Sequence, residues 1–309
     1  MMPHFAMIVA ATFWASSFIA SKALMEVISP AQLTLLRFTI GAVVIAVVIL
    51  TMRHGFKARA VGARAFITGF FEPGLITIVV YWGVLHTSAI HGVVIFAMMP
   101  LATSLLGRLF LNEPITRPVM IGAVIAIAGT LLLVSGSTGG NQASLYGDSI
   151  VLVGMLLACV AALVLRRVAQ AHHLPVAVTS FQLAGAGFSG LVVVGGAQLF
   201  AGGPGAFVAI GQIDLTGWMV VLYLGVLVSA LAFFIYNYAL RYIEVGRITL
   251  YLVLIAPLGV PLAAIFLGET VNGRDAVAIL LVMAGVAFPS VASQPRLKKL
   301  WPVVSGPKT

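Results

Sequence analysis

The chain alternates between long apolar runs and short polar segments. Nine polar segments interrupt it, including MRHGFKARAVGAR at 52–64 and SGSTGGNQASLYGD at 135–148. Each run between them is close to the roughly 20 apolar residues that an α-helix needs to cross the hydrocarbon of a bilayer. The pattern therefore predicts ten transmembrane helices, at residues 5–25, 32–52, 63–85, 89–111, 118–136, 147–170, 176–200, 215–241, 246–268 and 274–292.

The composition identifies the class of protein. Hydrophobic residues make up 61% of the chain, charged residues 8%, and the mean hydropathy is +1.14. A water-soluble surface needs far more charge than this, so we predict an all-α integral membrane protein. No Lys or Arg precedes the first apolar run, which is consequently interpreted as a helix and not as a cleaved signal peptide. The single cysteine, Cys159, excludes a disulfide within the chain.

The distribution of Lys and Arg predicts the orientation in the membrane. Fourteen of the seventeen lie on the side of the termini and the even-numbered loops, and the other three are Lys22, Arg37 and Arg274. Positive residues accumulate on the cytoplasmic side, so both termini are expected in the cytoplasm of a cell with a bacterial-type inner (plasma) membrane. This bias accounts for the net charge of +9. We therefore expect lipid and a small-molecule substrate as partners, and no nucleic acid.

One phrase occurs twice. MMPLATSLLGRLFLNEP at 98–114 returns as LIAPLGVPLAAIFLGET at 254–270. A proline, a glutamate and a glycine mark equivalent positions in the two copies: Pro100, Glu113 and Gly129, then Pro257, Glu269 and Gly285. A second correspondence, at an offset of 145, relates Lys22, Pro30 and Arg37 to Arg167, Pro175 and Gln182.

The duplication divides the chain into two five-helix repeats and a tail. We place the repeats at 1–140 and 141–293, and a basic cytoplasmic tail at 294–309. Because five is an odd number, the second repeat must cross the membrane in the opposite direction. Inverted repeats are typical of secondary transporters, in which the substrate site lies near mid-membrane where the halves meet.

These motifs resemble a known family. The run FWASSF at 13–18, the pair Pro30 and Arg37, and the repeated Pro–Glu–Gly phrase are similar to the ten-helix EamA-type branch of the drug/metabolite transporter superfamily. The resemblance implies an exporter of small metabolites, and the overall pattern is similar to exporters of aromatic and other neutral amino acids. Another small metabolite or a drug is the alternative substrate, and no cofactor is expected. Gln182 departs from the first half, which has Arg37 at the equivalent position, so the two need not have the same role.

The candidate substrate-binding residues are polar or aromatic groups inside the predicted spans. Spacing of three or four residues places Trp14 and Ser17 on one stripe of the first helix. Aromatic rings offer contact area for an apolar side chain, and hydroxyl and amide groups can hold polar ends. Such aromatic residues also form interfacial belts, so anchoring in the membrane is the alternative. The candidates are Trp14, Ser17, Tyr81, His91, Tyr236, Asn237 and Tyr251.

Glu72, in FFEPG, is the carboxylate that lies well inside a predicted span. A charge in hydrocarbon is costly, so Glu72 is a candidate for carrying a coupling proton. The alternatives are that it caps amides freed by Pro73 and Gly74, or that it reaches cytoplasmic water. On an ideal helix it points half a turn away from Tyr81. Arg37 is expected to extend its side chain to the outer interface, and a pairing role is the alternative.

The repeated phrase has two interpretations as well. Pro100 and Pro257 can bend their helices, either as hinges of a gate or for packing alone. Glu113 and Glu269 are expected to cap or anchor helix ends.

Other classes of protein fit the sequence less well. The glycines of GAGFSG at 185–190 match G-x-G-x-x-G, but they lie inside an apolar span, so we interpret them as close helix contacts. An intramembrane enzyme is not predicted, because GxSxG, HExxH and a paired Asp motif are absent. His86 and His91 are five residues apart without a supporting carboxylate or cysteine, so no metal site is expected. The oligomeric state is undetermined, and a monomer is plausible.

Overall fold

The structure is a computed structural model, and it describes residues 2–51, 59–111, 115–135, 144–169, 175–201, 208–239 and 249–292. Within these ranges the chain is helical and contains no strand. The tail at 294–309, Glu113 and the loop around residue 140 lie outside the described residues.

Ten long helical segments coincide with the ten apolar runs. One further helix in the described ranges, Val208–Gly211, has only four residues. The segments are α1 (Met2–Leu24), α2 (Pro30–Thr51), α3 (59–85), α4 (89–111), α5 (Arg117–Ser135), α6 (Leu145–Ala169), α7 (Pro175–Ala201), α8 (215–239), α9 (249–267) and α10 (Gly273–Ala292).

Most of these segments can cross a membrane by length and composition. Seven qualify directly among the described residues, or eight when Ala89–Ala97 and Met99–Phe110 of α4, bent by 44°, count as one span. The protein is therefore a multi-pass membrane protein. The apolar helix Tyr251–Leu267 is shorter than the qualifying spans. That all ten segments cross the bilayer stays a prediction.

The proline of each repeated phrase lies where the helix changes its geometry. Pro100 is the second residue of Met99–Leu111, directly after the 44° bend of α4. Pro257 is the third residue of Ile255–Leu267, which follows the 3₁₀ turn Thr249–Leu254. The first turn of a helix tolerates proline because its N–H groups have no partner within the helix. Their function as hinges stays a proposal.

Two equivalent helices each contain a π turn. The turn Phe70–Leu75 interrupts α3, and Leu224–Leu231 interrupts α8. In α3 the backbone of Glu72 is extended, with φ −133° and ψ 114°, directly before Pro73. This extended residue kinks α3, so positions before and after it do not keep the rotation of an ideal helix.

The packing of the helices has approximate twofold symmetry. Helices α2 and α7 pack along each other, as do α5 and α10, so each contacts its own counterpart in the other half. Helix α3 lies against α6 and α7, and α8 lies against α1 and α2. When the two halves are exchanged, the contacts of α3 with α6 and α7 correspond to those of α8 with α1 and α2.

Glycines show the symmetry in atomic detail where α5 crosses α10. A Cβ on Gly285 would lie 2.5 Å from the carbonyl oxygen of Gly122, and one on Gly129 would lie 2.8 Å from the carbonyl oxygen of Ala278. Because the earlier residue on α5 meets the later residue on α10, the two helices run antiparallel. The glycines of GAGFSG act in the same way, since Gly185 packs on the backbone of Phe66. This confirms their interpretation as close helix contacts.

Candidate functional site

A cavity of about 160 Å³ lies between helices α1–α4 and α6–α9. It is smaller than the roughly 300–1,000 Å³ of sites for drug-sized ligands, so it suits a small metabolite. Its aromatic lining consists of Trp14, Phe18, Phe38, Phe96, Phe233 and Tyr236. Its polar and charged lining also includes Ser17, Arg37, Glu72, Thr77, Tyr81 and Gln182.

Equivalent positions of the two halves meet at this cavity. Six pairs of lining residues are related by the offsets of the duplication, 145 in the first two helices of each half and 156 in the third and fourth. In four of them the two members differ in polarity or charge, so the cavity is symmetric in position and asymmetric in its polar groups. These four are Ser17 and Ala162, Arg37 and Gln182, Thr77 and Phe233, and Val80 and Tyr236, and the other two are Phe96 and Leu252, and Met99 and Ile255.

One wall is a cluster of aromatic rings around Trp14. Its ring meets those of Phe233 and Tyr236 edge to face, each at a centroid distance of 5.6 Å. Phe18 and Phe96 form another edge-to-face pair at 5.3 Å. Such rings present a broad apolar surface and, at Tyr236, a hydroxyl that can bond a ligand.

Arg37 is buried at the cavity, and only 4% of its surface is exposed. Its Nε donates to the Ser229 hydroxyl at 3.0 Å, and Nη1 donates to the hydroxyl of Tyr81. The guanidinium also lies 4.7 Å from the ring centre of Phe38. The expectation that Arg37 reaches the outer interface is therefore wrong, because neutral groups of α3 and α8 hold it inside the bundle.

Glu72 and Tyr81 line the same cavity. On an ideal helix they point half a turn apart, but α3 is kinked at Glu72, whose backbone is extended, so the rotation of an ideal helix does not apply between them. Among the described residues, the Glu72 carboxylate makes no hydrogen bond and no ion pair. Nothing in the structure therefore supports the alternative in which it caps freed amides.

Asn237 lies beside the cavity and is not part of its lining. Its amide donates to the Thr179 hydroxyl at 2.9 Å and to the side-chain oxygen of Gln182 at 3.2 Å. Gln182 does line the cavity, so Asn237 orients a lining residue. This pair is equivalent to the bond between Arg37 and Tyr81 in the first half.

His91 lies away from the cavity lining. Its Nδ1 is 2.9 Å from a carboxylate oxygen of Asp148, which also accepts a hydrogen bond from the Thr87 hydroxyl at 2.6 Å. The sequence argument found no carboxylate near His91, and the structure corrects this, because α6 brings Asp148 to the start of α4. All three side chains are buried.

The remaining two candidates lie close to the aromatic wall. Ser17 lines the cavity, and its hydroxyl donates to the Trp14 carbonyl at 2.8 Å. Tyr251 is not in the lining, and it packs in an apolar cluster around Met7 and Ala239 that Trp14 and Tyr236 share. The structure thus gathers four of the seven candidates at one cavity: Trp14, Ser17, Tyr81 and Tyr236.

Arg37 and Gln182 are lining residues that the sequence argument did not nominate. The available signal was their equivalence at an offset of 145, which identified a matched pair that differs in charge.

No group of three or more His, Cys, Asp and Glu side chains suited to a metal occurs in the described part of the chain.

An ion pair joins several helices at one end of the bundle. Lys22 Nζ lies 2.8 Å from Glu269 Oε1 and donates to the Thr87 carbonyl at 2.7 Å. The Glu269 carboxylate also accepts from the amides of Ala89 and Ile90, at 2.7 and 2.9 Å. The prediction that Glu269 anchors a helix end is confirmed, because these amides begin α4.

A helical membrane protein with a mixed aromatic and polar cavity between two matched halves has the architecture of a membrane transporter. Comparison with known families agrees: the EamA-like transporter family matches residues 1–135 and again residues 145–291. The chain belongs to this family, which confirms the resemblance seen in its motifs. It is a transporter and not an enzyme.

Individual relatives are distant. An uncharacterized transporter of Archaeoglobus fulgidus is 24% identical over 276 residues, which cover 89% of this chain and 94% of the relative. A probable terminal-alkyne amino-acid exporter of Streptantibioticus cattleyicolor is 26% identical, covering 91% of each chain. A probable amino-acid metabolite efflux pump of Salmonella typhimurium is 26% identical over 60% of this chain and 61% of its own.

A solved crystal structure has the same fold. It superposes with a TM-score of 0.69 at 19% sequence identity, covering 97% of this chain and 98% of the other. At this identity the likeness concerns the fold alone.

Proposed function

We propose that this transporter is a secondary exporter of neutral amino acids, with aromatic ones preferred, which works by alternating access across the inner membrane. The observation that carries the proposal is the composition of the cavity. Aromatic rings and hydroxyl, amide and guanidinium groups together line a space of about 160 Å³. An amino acid has the matching halves, an apolar side chain and two polar groups.

The names of two relatives support the same substrate class. They are described as an amino-acid metabolite efflux pump and a terminal-alkyne amino-acid exporter. Both names refer to amino acids. We assign the polar lining to recognition of the amino and carboxylate groups of the substrate and the aromatic wall to its side chain.

The helix packing supports alternating access. The exchange symmetry of the halves and the antiparallel crossing of α5 and α10 fit two inverted repeats that rock about the cavity. At the end that carries Lys22, the ion pair with Glu269 joins α1 to the loop after α9. On the orientation predicted from the charge bias, with both termini in the cytoplasm, this is the external end.

Transport into proteoliposomes tests the proposal. The purified chain is reconstituted, and uptake of radiolabelled phenylalanine, leucine and alanine is compared with that of a lipophilic cation and a sugar. We expect uptake of phenylalanine to exceed that of leucine and alanine, because the aromatic wall gives the larger side chain more contact area. Amino-acid uptake equal to that of protein-free liposomes would reject the proposal, and uptake of the cation alone would identify a drug exporter.

A further inference from the structure

We infer that Arg37 binds the carboxylate of the transported substrate. The inference rests on the proposed function and adds the group that anchors the substrate. It begins with the position of the guanidinium, which lines the cavity and is shielded from solvent by the surrounding helices.

The guanidinium has hydrogen-bond donors to spare. Arginine carries five N–H groups and no acceptor. Nε donates to Ser229 and Nη1 to Tyr81, which accounts for two of the five. Three N–H groups are therefore left for a ligand, and a carboxylate can accept two of them in a bidentate pair.

The charge of Arg37 is not neutralised within the described part of the chain. Its hydrogen-bond partners there, Ser229 and Tyr81, are neutral hydroxyls, and no carboxylate lies within 4.0 Å of it. Glu72 lines the same cavity without forming this ion pair. A buried cation is costly unless an anion accompanies it, so the cavity favours an anionic group beside Arg37.

The asymmetry of the cavity limits the number of anchors. The equivalent position in the second half is Gln182, whose amide is neutral and is bonded by Asn237. Only one cationic side chain thus lines the cavity in the described residues. A single cationic side chain matches a substrate with one carboxylate. The aromatic wall around Trp14 is then available for an apolar side chain.

Four compounds that differ in one group at a time test the inference. Reconstituted or detergent-purified full chain is incubated with radiolabelled L-phenylalanine, and competition is measured with 3-phenylpropionate, L-phenylalaninamide and phenethylamine. We expect 3-phenylpropionate to compete, and the amide and the amine to bind about tenfold to a hundredfold more weakly than phenylalanine, because they lack the charged acceptor.

Variants then assign the effect to Arg37. Arg37→Gln introduces the residue found at the equivalent position of the other half. It should weaken the binding of phenylalanine about tenfold to a hundredfold and change the binding of the amide little. Arg37→Lys keeps the charge and should recover part of the preference for carboxylates. Arg274→Gln, an exposed arginine bonded to Ser135, is the matched control and should bind phenylalanine as the parent does.

The outcomes separate the two proposals. Phenylalanine and its amide binding equally well to the parent chain would overturn the role of Arg37 and leave amino-acid export intact. This comparison changes only the ligand, so it decides the matter even if Arg37→Gln fails to fold. Binding of phenethylamine alone, or of none of the four compounds, would overturn both proposals.

Discussion

Lys22 and Glu269, which are 247 residues apart in sequence, form an ion pair of 2.8 Å in the structure. The pair ties the end of α1 to the loop between α9 and α10. Through the amides of Ala89 and Ile90, the same carboxylate also holds the start of α4. Three helices that line the cavity are therefore joined at one end by a single side chain.

Glu269→Gln should lower the free energy of unfolding by about 1.5–3 kcal/mol, since hydrogen bonds to a charged group contribute about this much. Lys22→Gln should cost less, because the two amide bonds to Glu269 remain. Thermal unfolding in detergent measures both. Glu26→Gln, an exposed carboxylate near the same end, is the control and should be neutral. Equal stability of Glu269→Gln and the parent would contradict an anchoring role for Glu269.

Gly285→Ala should destabilise the crossing of α5 and α10 by about 1–3 kcal/mol, because the new Cβ meets backbone atoms of Gly122 and Ala126 and the helices must separate. Gly195→Ala is the matched control on α7, since its Cβ would have no neighbour within 4 Å. Alanine favours helix, so this control should be neutral or slightly stabilising. Thermal unfolding of the two variants gives the comparison, and a Gly285→Ala variant as stable as Gly195→Ala would disprove the close contact.

Trp14→Ala and Tyr236→Ala should lower transport of phenylalanine and tryptophan more than that of alanine, because each removes apolar contact area from the cavity wall. Initial rates in proteoliposomes at several concentrations measure the effect. Trp218→Ala removes an exposed ring of α8 outside the cavity and should leave the rates unchanged. An equal loss of transport rate for large and small amino acids would show that the aromatic wall does not discriminate between side chains.

Glu72→Gln should abolish the dependence of amino-acid flux on a pH gradient while binding of phenylalanine stays largely intact. The physical reason is that the amide keeps the shape of the carboxyl group and cannot carry a proton. Flux with and without an imposed gradient is compared in the same vesicles, with Glu26→Gln as a control. A well-folded Glu72→Gln variant that still follows the gradient would leave Glu72 without a coupling role.

Reporter fusions at Gly55 and after Lys299 should lie in the cytoplasm, and a fusion at Gly140 should lie outside. All three sites fall outside the described residues, so the expectation rests on the distribution of Lys and Arg. Fusions to an enzyme active on only one side of the membrane provide the measurement. A cytoplasmic signal at Gly140 would be incompatible with inverted halves.

The positions of the helices were predictable from the sequence. A backbone in hydrocarbon must satisfy its own hydrogen bonds, and the thickness of the bilayer sets the length of each span, so apolar runs translate directly into helices. The ten observed segments agree with the ten predicted runs within about five residues. The repeated Pro–Glu–Gly phrase and the family followed from the same linear pattern.

The composition of the site was only partly predictable. Trp14 and Ser17 follow from the stripe of an uninterrupted helix, and the structure has both at the cavity. Glu72 and Tyr81 share the cavity although an ideal helix places them half a turn apart, because α3 is kinked at the extended backbone of Glu72. Helical periodicity in the sequence does not reveal such a kink.

Residue pairing was decided by the tertiary structure. Arg37 is held by Ser229 and Tyr81, His91 by Asp148, and Lys22 by Glu269, in each case across helices that are far apart in sequence. A polar residue in an apolar run signals that some partner exists, because an unpaired polar group in the membrane is costly. Which partner it finds depends on how the two halves pack, and that information is present only in three dimensions.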